Sequence, residues 1–235
     1  MLQAGHIALI TEIAGTGVLP SGISQTAWAK EIVMKYYKEV SILALVDQLI
    51  KGVLVSVNRT LFTVMNVLSI PAFDGLANIV QRIVNFSLTY IDESVIAYTF
   101  RTGNENVFDA AKSGILVYCQ SWKALLKNAV MLTVLSYVFI IVTTIVFMIP
   151  LGVLALFLPS SWVLGKFFLF VMALFLGVSA KWILFDPVAC TSTLLTFLKE
   201  AESTKPDPEW ESTIEAVSDK FRTLKAKAGE MSSAL

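Results

Sequence analysis

From Asn128 to Gly165 the chain carries no Asp, Glu, Lys or Arg, a run of 38 positions between Lys127 and Lys166. About 20 apolar residues cross the hydrocarbon core of a bilayer, so this run is too long for one simple span. The pattern predicts a transmembrane helix over 129–148, a kinked extension past Pro150 and Gly152, and a turn at 159–161. A return helix over 162–185 follows, centred on the apolar run from Phe167 to Leu176. At its far end Lys181 can snorkel toward headgroups, and Asp186-Pro187 reads as a helix break. Together the two segments predict a transmembrane hairpin.

Upstream the pattern changes from uniformly apolar to amphipathic. Over 41–70, Asp47, Gln48, Lys51, Asn58, Arg59 and Asn66 fall within an arc of about 120° on a helix, with apolar residues elsewhere. Over 75–100, Asn78, Arg82, Asn85, Thr89 and Asp92 recur at spacings of four, three, four and three. Both stretches therefore predict amphipathic helices, joined by a turn around Pro71. Their polar stripes can pack against each other, line a wet cavity, or face water from the membrane interface, and periodicity does not choose among these. Shorter helices are predicted at 3–14, at 24–37 with Ser24 as cap, and at 107–126, where Trp122 and Lys123 suit the headgroup layer.

After residue 199 the chain becomes charged. Asp207 as N-cap, Pro208 at the first helical position, and Glu209 and Glu211 in the first turn mark a helix start. Trp210, Ile214, Val217, Phe221 and Leu224 then form a seam at spacings of four, three, four and three. At little more than two heptads it predicts a docking helix, for a partner or for the protein's own cytoplasmic helices, rather than a free coiled coil.

Composition agrees with lipid as the solvent. The 235 residues are 56% hydrophobic and 15% charged, against about 25% charged in ordinary soluble domains. Eighteen basic residues balance 18 acidic ones, which excludes the basic excess of a nucleic-acid binder. Their distribution orients the hairpin. Arg101, Lys112, Lys123 and Lys127 precede it, six Lys and Arg residues between Lys199 and Lys227 follow it, and only Lys166 lies near its turn. Both ends are expected in the cytoplasm. No basic region precedes the first apolar stretch, so insertion is expected to rely on internal segments.

Chemistry is sparse. Cys119 and Cys190, 71 positions apart, make neither a disulfide framework nor a zinc site and read as small apolar residues in helices. His6 is the only histidine, and Gly15-Thr16-Gly17 lacks the remaining features of a phosphate loop. No catalytic residue, metal or cofactor is expected. Asn58-Arg59-Thr60 and Asn85-Phe86-Ser87 match the glycosylation pattern, but inside apolar helices. The informative set is charge at membrane depth: Asp47, Lys51, Arg59, Arg82, Asp92 and Glu93, with Asn85, form a candidate polar pathway or a group of ion pairs that fix packing.

Tyr90-Ile91-Asp92-Glu93, Tyr118-Cys119-Gln120-Ser121-Trp122-Lys123 and Ser218-Asp219-Lys220-Phe221-Arg222 resemble phrases in a family of bacterial integral membrane proteins with no assigned activity. The opening Ala4-Gly5-His6 and the stretch from Val46 to Gly52 are similar too. The resemblance implies a bacterial inner-membrane protein. The order of an Ala-rich stretch at 108–114, Asn128 before the hairpin, and a Thr- and Leu-rich exit helix at 191–198 also resembles the C-terminal part of choline-transporter-like proteins. That layout implies a half-size transporter acting as an oligomer, although the chain supplies only part of that family's helices.

The expected fold is all-α, with N-terminal amphipathic helices (1–40), membrane-embedded or interfacial helices (41–127), the hairpin and exit helix (128–198), and a soluble C-terminal helix (199–235). The expected function is non-enzymatic: a membrane protein that self-associates and docks a cytoplasmic partner through its C-terminal helix. The alternative is a small oligomeric channel or transporter whose pathway is lined by 41–100.

Overall fold

The computed structural model describes residues 2–18, 22–38, 40–67 and 77–234, with side chains except at 2, 40, 58, 60–67, 77–89 and 234. Every regular element among the described residues is helical. In chain order these are α1 (Leu2–Thr16), α2 (Gln25–Tyr37), α3 (Val40–Val67), α4 (Ala77–Thr102), α5 (Val107–Gln120), α6 (Trp122–Leu156), α7 (Val163–Ala180), α8 (Asp186–Ser203), α9 (Pro208–Val217) and α10 (Asp219–Ala234). The turn anticipated around Pro71 lies outside the described residues.

The chain divides into two compact units, one made of 1–128 and 193–235, the other of 129–192. The first has its own apolar core. Val46, Ile50 and Val53 of α3, Ile91 and Val95 of α4, Ile115 and Val117 of α5, and Phe221 and Leu224 of α10 are all buried there. Helix α4 packs on α1 and α5, while α10 lies across α3 and α5. Gly114 permits the close approach of α5 to α4: a Cβ there would sit 3.1 Å from Val95 and 3.3 Å from Tyr98. Tyr37 donates its hydroxyl to Thr99 at 2.9 Å, because the Thr99 proton is committed to the Ile96 carbonyl at 2.7 Å. The Tyr37 ring also meets Phe100 edge-on at 5.9 Å.

Local chemistry sets the helix ends. Ser24 caps α2 by accepting from Ala27 N–H at 3.2 Å, and Asp207 caps α9 by accepting from Glu209 N–H at 2.9 Å, both as the spacing predicts. Two boundaries differ from the sequence reading. The stretch 107–126 divides at Ser121, which ends α5 through a bond to Val117 O and whose carbonyl accepts from Ala124 N–H to start α6. The charged tail divides at Ser218, whose backbone is extended (φ −140°, ψ 109°) and whose Oγ accepts from Phe221 N–H at 3.3 Å.

The second unit is the hairpin. Helix α6 runs through Pro150 without interruption. Breaking a helix in hydrocarbon would strand several backbone groups, whereas proline strands only one. Asp186-Pro187 likewise does not end the return helix. A π-turn at Lys181–Phe185 lets Asp186 N–H reach Lys181 O, and Pro187 falls in the first turn of α8, where no intrahelical donor is required. Lys181 pairs with Asp186 across this turn at 2.8 Å. The predicted exit helix at 191–198 is consequently part of α8. Helices α6 and α7 touch at Gly177, where an added Cβ would lie 3.0 Å from the Thr144 backbone, and Thr143 donates to Gly177 O at 3.3 Å. Phe139 and Phe185 rings stand 5.6 Å apart. Along both helices most of the large apolar side chains are exposed, from Val130 to Phe175. Trp122–Leu156 and the continuous Val163–Ser203 are long and apolar enough to cross a membrane. Among the described residues a third span arises only if Gln25–Tyr37 and Ser41–Val57, bent 75° to one another, count as one.

Candidate functional site

Four charged residues of the amphipathic helices come together in the first unit. On α3, Asp47 and Lys51 stand one turn apart, acid first, the orientation that favours an i,i+4 pair. Lys51 Nζ lies 2.9 Å from Asp47 Oδ2 and reaches across to Asp92 Oδ2 of α4 at 3.2 Å. Lys51 is half-exposed, whereas the Asp92 side chain is only 8% exposed. A lysine thus brings its charge from the surface to a carboxylate taken out of water. Desolvation makes such a carboxylate costly without that partner.

Glu93 follows Asp92 on a segment of α4 covered by α1, α3 and α5. It is 93% buried by residue area. Its Oε1 accepts a hydrogen bond from Gln3 Nε2 of α1, while Oε2 and Asp92 Oδ1 are buried with no donor besides a proton that the two carboxyls can share. Burial is the main cause that holds the Glu93 carboxyl well above the usual carboxylate range. A hydrogen bond and charge repulsion from Asp92 add to it, and Lys51 opposes it. Beside this group lies a cavity of about 210 Å³ between α1, α3 and α4. Ile7, Leu43 and Ile96 wall it, and Gln3, Asp47 and Glu93 supply its polar edge.

Of the charged residues singled out by periodicity, Asp47, Lys51, Asp92 and Glu93 come together. Arg59 is exposed about two turns further along α3. Arg82 and Asn85 lie on α4, but among positions whose side chains fall outside those described. Gln3 is the member that sequence reasoning missed; its only signal was a polar residue at the start of a mainly apolar opening helix.

The C-terminal seam is used within the first unit. Ile214, Phe221 and Leu224 are buried, Trp210 packs half-buried against the core, and Val217 is exposed. The break at Ser218 explains the exception, because it resets the helical phase between Val217 and Phe221. Lys225 of α10 holds α9, pairing with Glu211 at 3.0 Å and Glu215 at 2.7 Å. Asn106 ties α10 to the start of α5. Its Nδ2 donates to Ala228 O at 2.7 Å and Ser232 Oγ at 2.9 Å, and its Oδ1 accepts from Asp109 N–H at 3.1 Å.

Burial pushes the Cys119 thiol up to about 12, which leaves it without thiolate character near neutral pH. His6 is exposed on α1. Among the described residues no group of three His, Cys, Asp or Glu side chains is placed to hold a metal ion.

No protein-family model, curated protein or solved structure matches this chain.

Among the described residues the arrangement sets one cation among three carboxylates beside a cavity.

Proposed function

We infer that this is a non-enzymatic integral membrane protein, held in the bilayer by the hairpin of α6, α7 and α8, that self-associates and carries a cytoplasmic docking unit. The observation that carries the reading is the division of the chain. One unit displays its apolar side chains, and the other, into which both ends of the hairpin run, encloses a core of its own. Cytoplasmic placement of that unit rests on the Lys and Arg residues flanking the hairpin. Self-association rests on the small surface that two spanning helices bury alone, in a solvent where association depends on close packing rather than on the hydrophobic effect. The C-terminal seam supports α9 and α10 as the cover of the unit, so a partner would meet their outer face, which carries Lys220, Arg222, Lys225 and Glu230.

The test is labelling in sealed vesicles of a protein lacking Cys119 and Cys190, with single cysteines at Ser160 and Ser212 and a membrane-impermeant thiol reagent. A spanning hairpin labels Ser160→Cys and Ser212→Cys from opposite sides; labelling from the same side removes the reading. Native mass spectrometry from micelles then addresses self-association, and a lone protomer at every concentration sinks that part. If purified protein in liposomes conducts ions, and Lys51→Ala abolishes the flux, the channel alternative takes its place.

A further inference from the structure

The basic residues that flank the hairpin are used unequally. Lys112 is held by Asp109 at 3.1 Å, Arg101 by Glu202 at 3.1 Å, and Lys225 by Glu211 and Glu215. Lys123, Lys127 and Lys199 are exposed, and among the described residues they pair with no acid. Lys123 Nζ stands 5.9 Å from the centroid of the half-buried Trp122 ring.

Two contacts bring these lysines level. Gln120 Nε2 donates to the Lys205 carbonyl at 3.0 Å, and the Ser121 and Thr204 hydroxyls stand 3.4 Å apart. From there Leu125 of α6 and Leu198 of α8 enter the same core. Lys127 lies six positions past Ser121 and Lys199 five before Thr204, so the common rise of a helix carries both to one height. On each helix an exposed apolar stripe starts at the next turn. Met131 and Val134 continue the face of Lys123 and Lys127, and Leu195, four positions before Lys199, leads on to Val188. Such a surface matches a ligand that is an anion at one end and hydrocarbon at the other. Lysine binds phosphate as a point charge, and its stem lies on apolar surface while the head stays in the polar layer.

We propose that Lys123, Lys127 and Lys199 form a docking surface for the phosphodiester of anionic phospholipids, whose acyl chains lie along the stripes of α6 and α8. A zwitterionic choline lipid presents its own ammonium to the lysines and is disfavoured. Glu200 and Glu202 follow Lys199, and with Glu202 held by Arg101 the surface stays net positive. This assignment rests on the hairpin being a membrane anchor.

The experiment is electron spin resonance of the full chain in phosphatidylcholine vesicles at low salt, with a trace of spin-labelled phosphatidylglycerol or spin-labelled phosphatidylcholine. The fraction of each label immobilised by the protein gives their relative affinity. One lysine near the headgroups is worth about fivefold, so phosphatidylglycerol is expected to be favoured by about twofold or more averaged over the surrounding lipid. Salt at about 1 M should erase the preference, because screening then acts within about 3 Å. The triple variant Lys123→Gln, Lys127→Gln, Lys199→Gln should lose it. The triple variant Lys30→Gln, Lys38→Gln, Lys205→Gln, at equally exposed lysines, should keep it. Immobilised phosphatidylcholine is the separate check on insertion. A protein that immobilises neither lipid removes the membrane anchor and this surface together. A protein that immobilises both lipids equally, a first variant that retains the preference, or a second variant that loses it as fully overturns the docking surface alone.

Discussion

The two units build helices from similar apolar residues and use them in opposite ways. In the first, Ile50, Ile115 and Phe221 are turned inward and the surface is charged. In the second, Val138, Ile141, Phe168 and Phe175 are turned outward, and small residues such as Ala173 and Gly177 occupy the contact between helices. Burying apolar area is favourable only where water is the alternative, so the first arrangement is the one that water favours. In lipid that drive would be absent, and close packing and backbone satisfaction would decide. Apolar content alone therefore does not say which side of a helix is its working side; the solvent does.

The comparison breaks most visibly if equal truncations have equal effects. Phe221→Ala should cost the first unit about 3–5 kcal/mol, the range for a fully buried aromatic, whereas Ile141→Ala on the exposed face of α6 should cost under about 0.5 kcal/mol. Thermal unfolding in micelles measures both, and comparable losses would mean that Ile141 is buried in an assembly. Gly177→Leu comes next. Its side chain would drive into the Thr144 backbone and should cost about 1–3 kcal/mol of hairpin packing. Disulfide yield between Phe139→Cys and Phe185→Cys, in a background lacking Cys119 and Cys190, should fall with it.

Asn106→Ala removes a helix cap and two bonds to α10, a loss of about 2 kcal/mol. It should appear as faster amide exchange across α10 with the hairpin unchanged. The smallest effect is a slope. Glu93 binds its proton more tightly in the folded than in the unfolded chain, so its contribution to stability is fully present at pH values below the ordinary glutamate range. That contribution is lost as pH rises through the raised value. The groups around it are Asp92 on its own helix, Asp47 and Lys51 on α3, and Gln3 on α1. Melting temperature of the first unit should therefore fall with rising pH across that interval, and Glu93→Gln should flatten the fall. A Glu93→Gln profile parallel to wild type would assign the slope elsewhere.

Much of this organisation is legible in individual residues. Ser24, Asp207 and Pro208 announce helix starts because capping needs only neighbours in sequence. The charge-free run announces the hairpin because length and apolarity suffice. The site was half legible. Asp47 and Lys51 are adjacent on any helix, so their pairing follows from spacing. That Lys51 also reaches Asp92, and that Gln3 reaches Glu93 across 90 positions, does not. The proline after Asp186 misled for a related reason. Pro187 carries a local preference to break a helix, and the surrounding helix overrides it with a π-turn.

The amino-acid sequence by itself determined that the chain is helical, where most helices begin, and that one region is too apolar and too poor in charge for water. Those properties depend on contacts within a few residues or on composition alone. Tertiary structure decided the rest. It turned the C-terminal seam onto α3 and α5, brought the polar stripe of α3 to a buried carboxylate of α4, and left a cavity beside Glu93. Each of these requires residues distant in the chain to meet. Amphipathic periodicity says which face of a helix seeks a partner, while the partner itself is chosen by the packing of the whole unit.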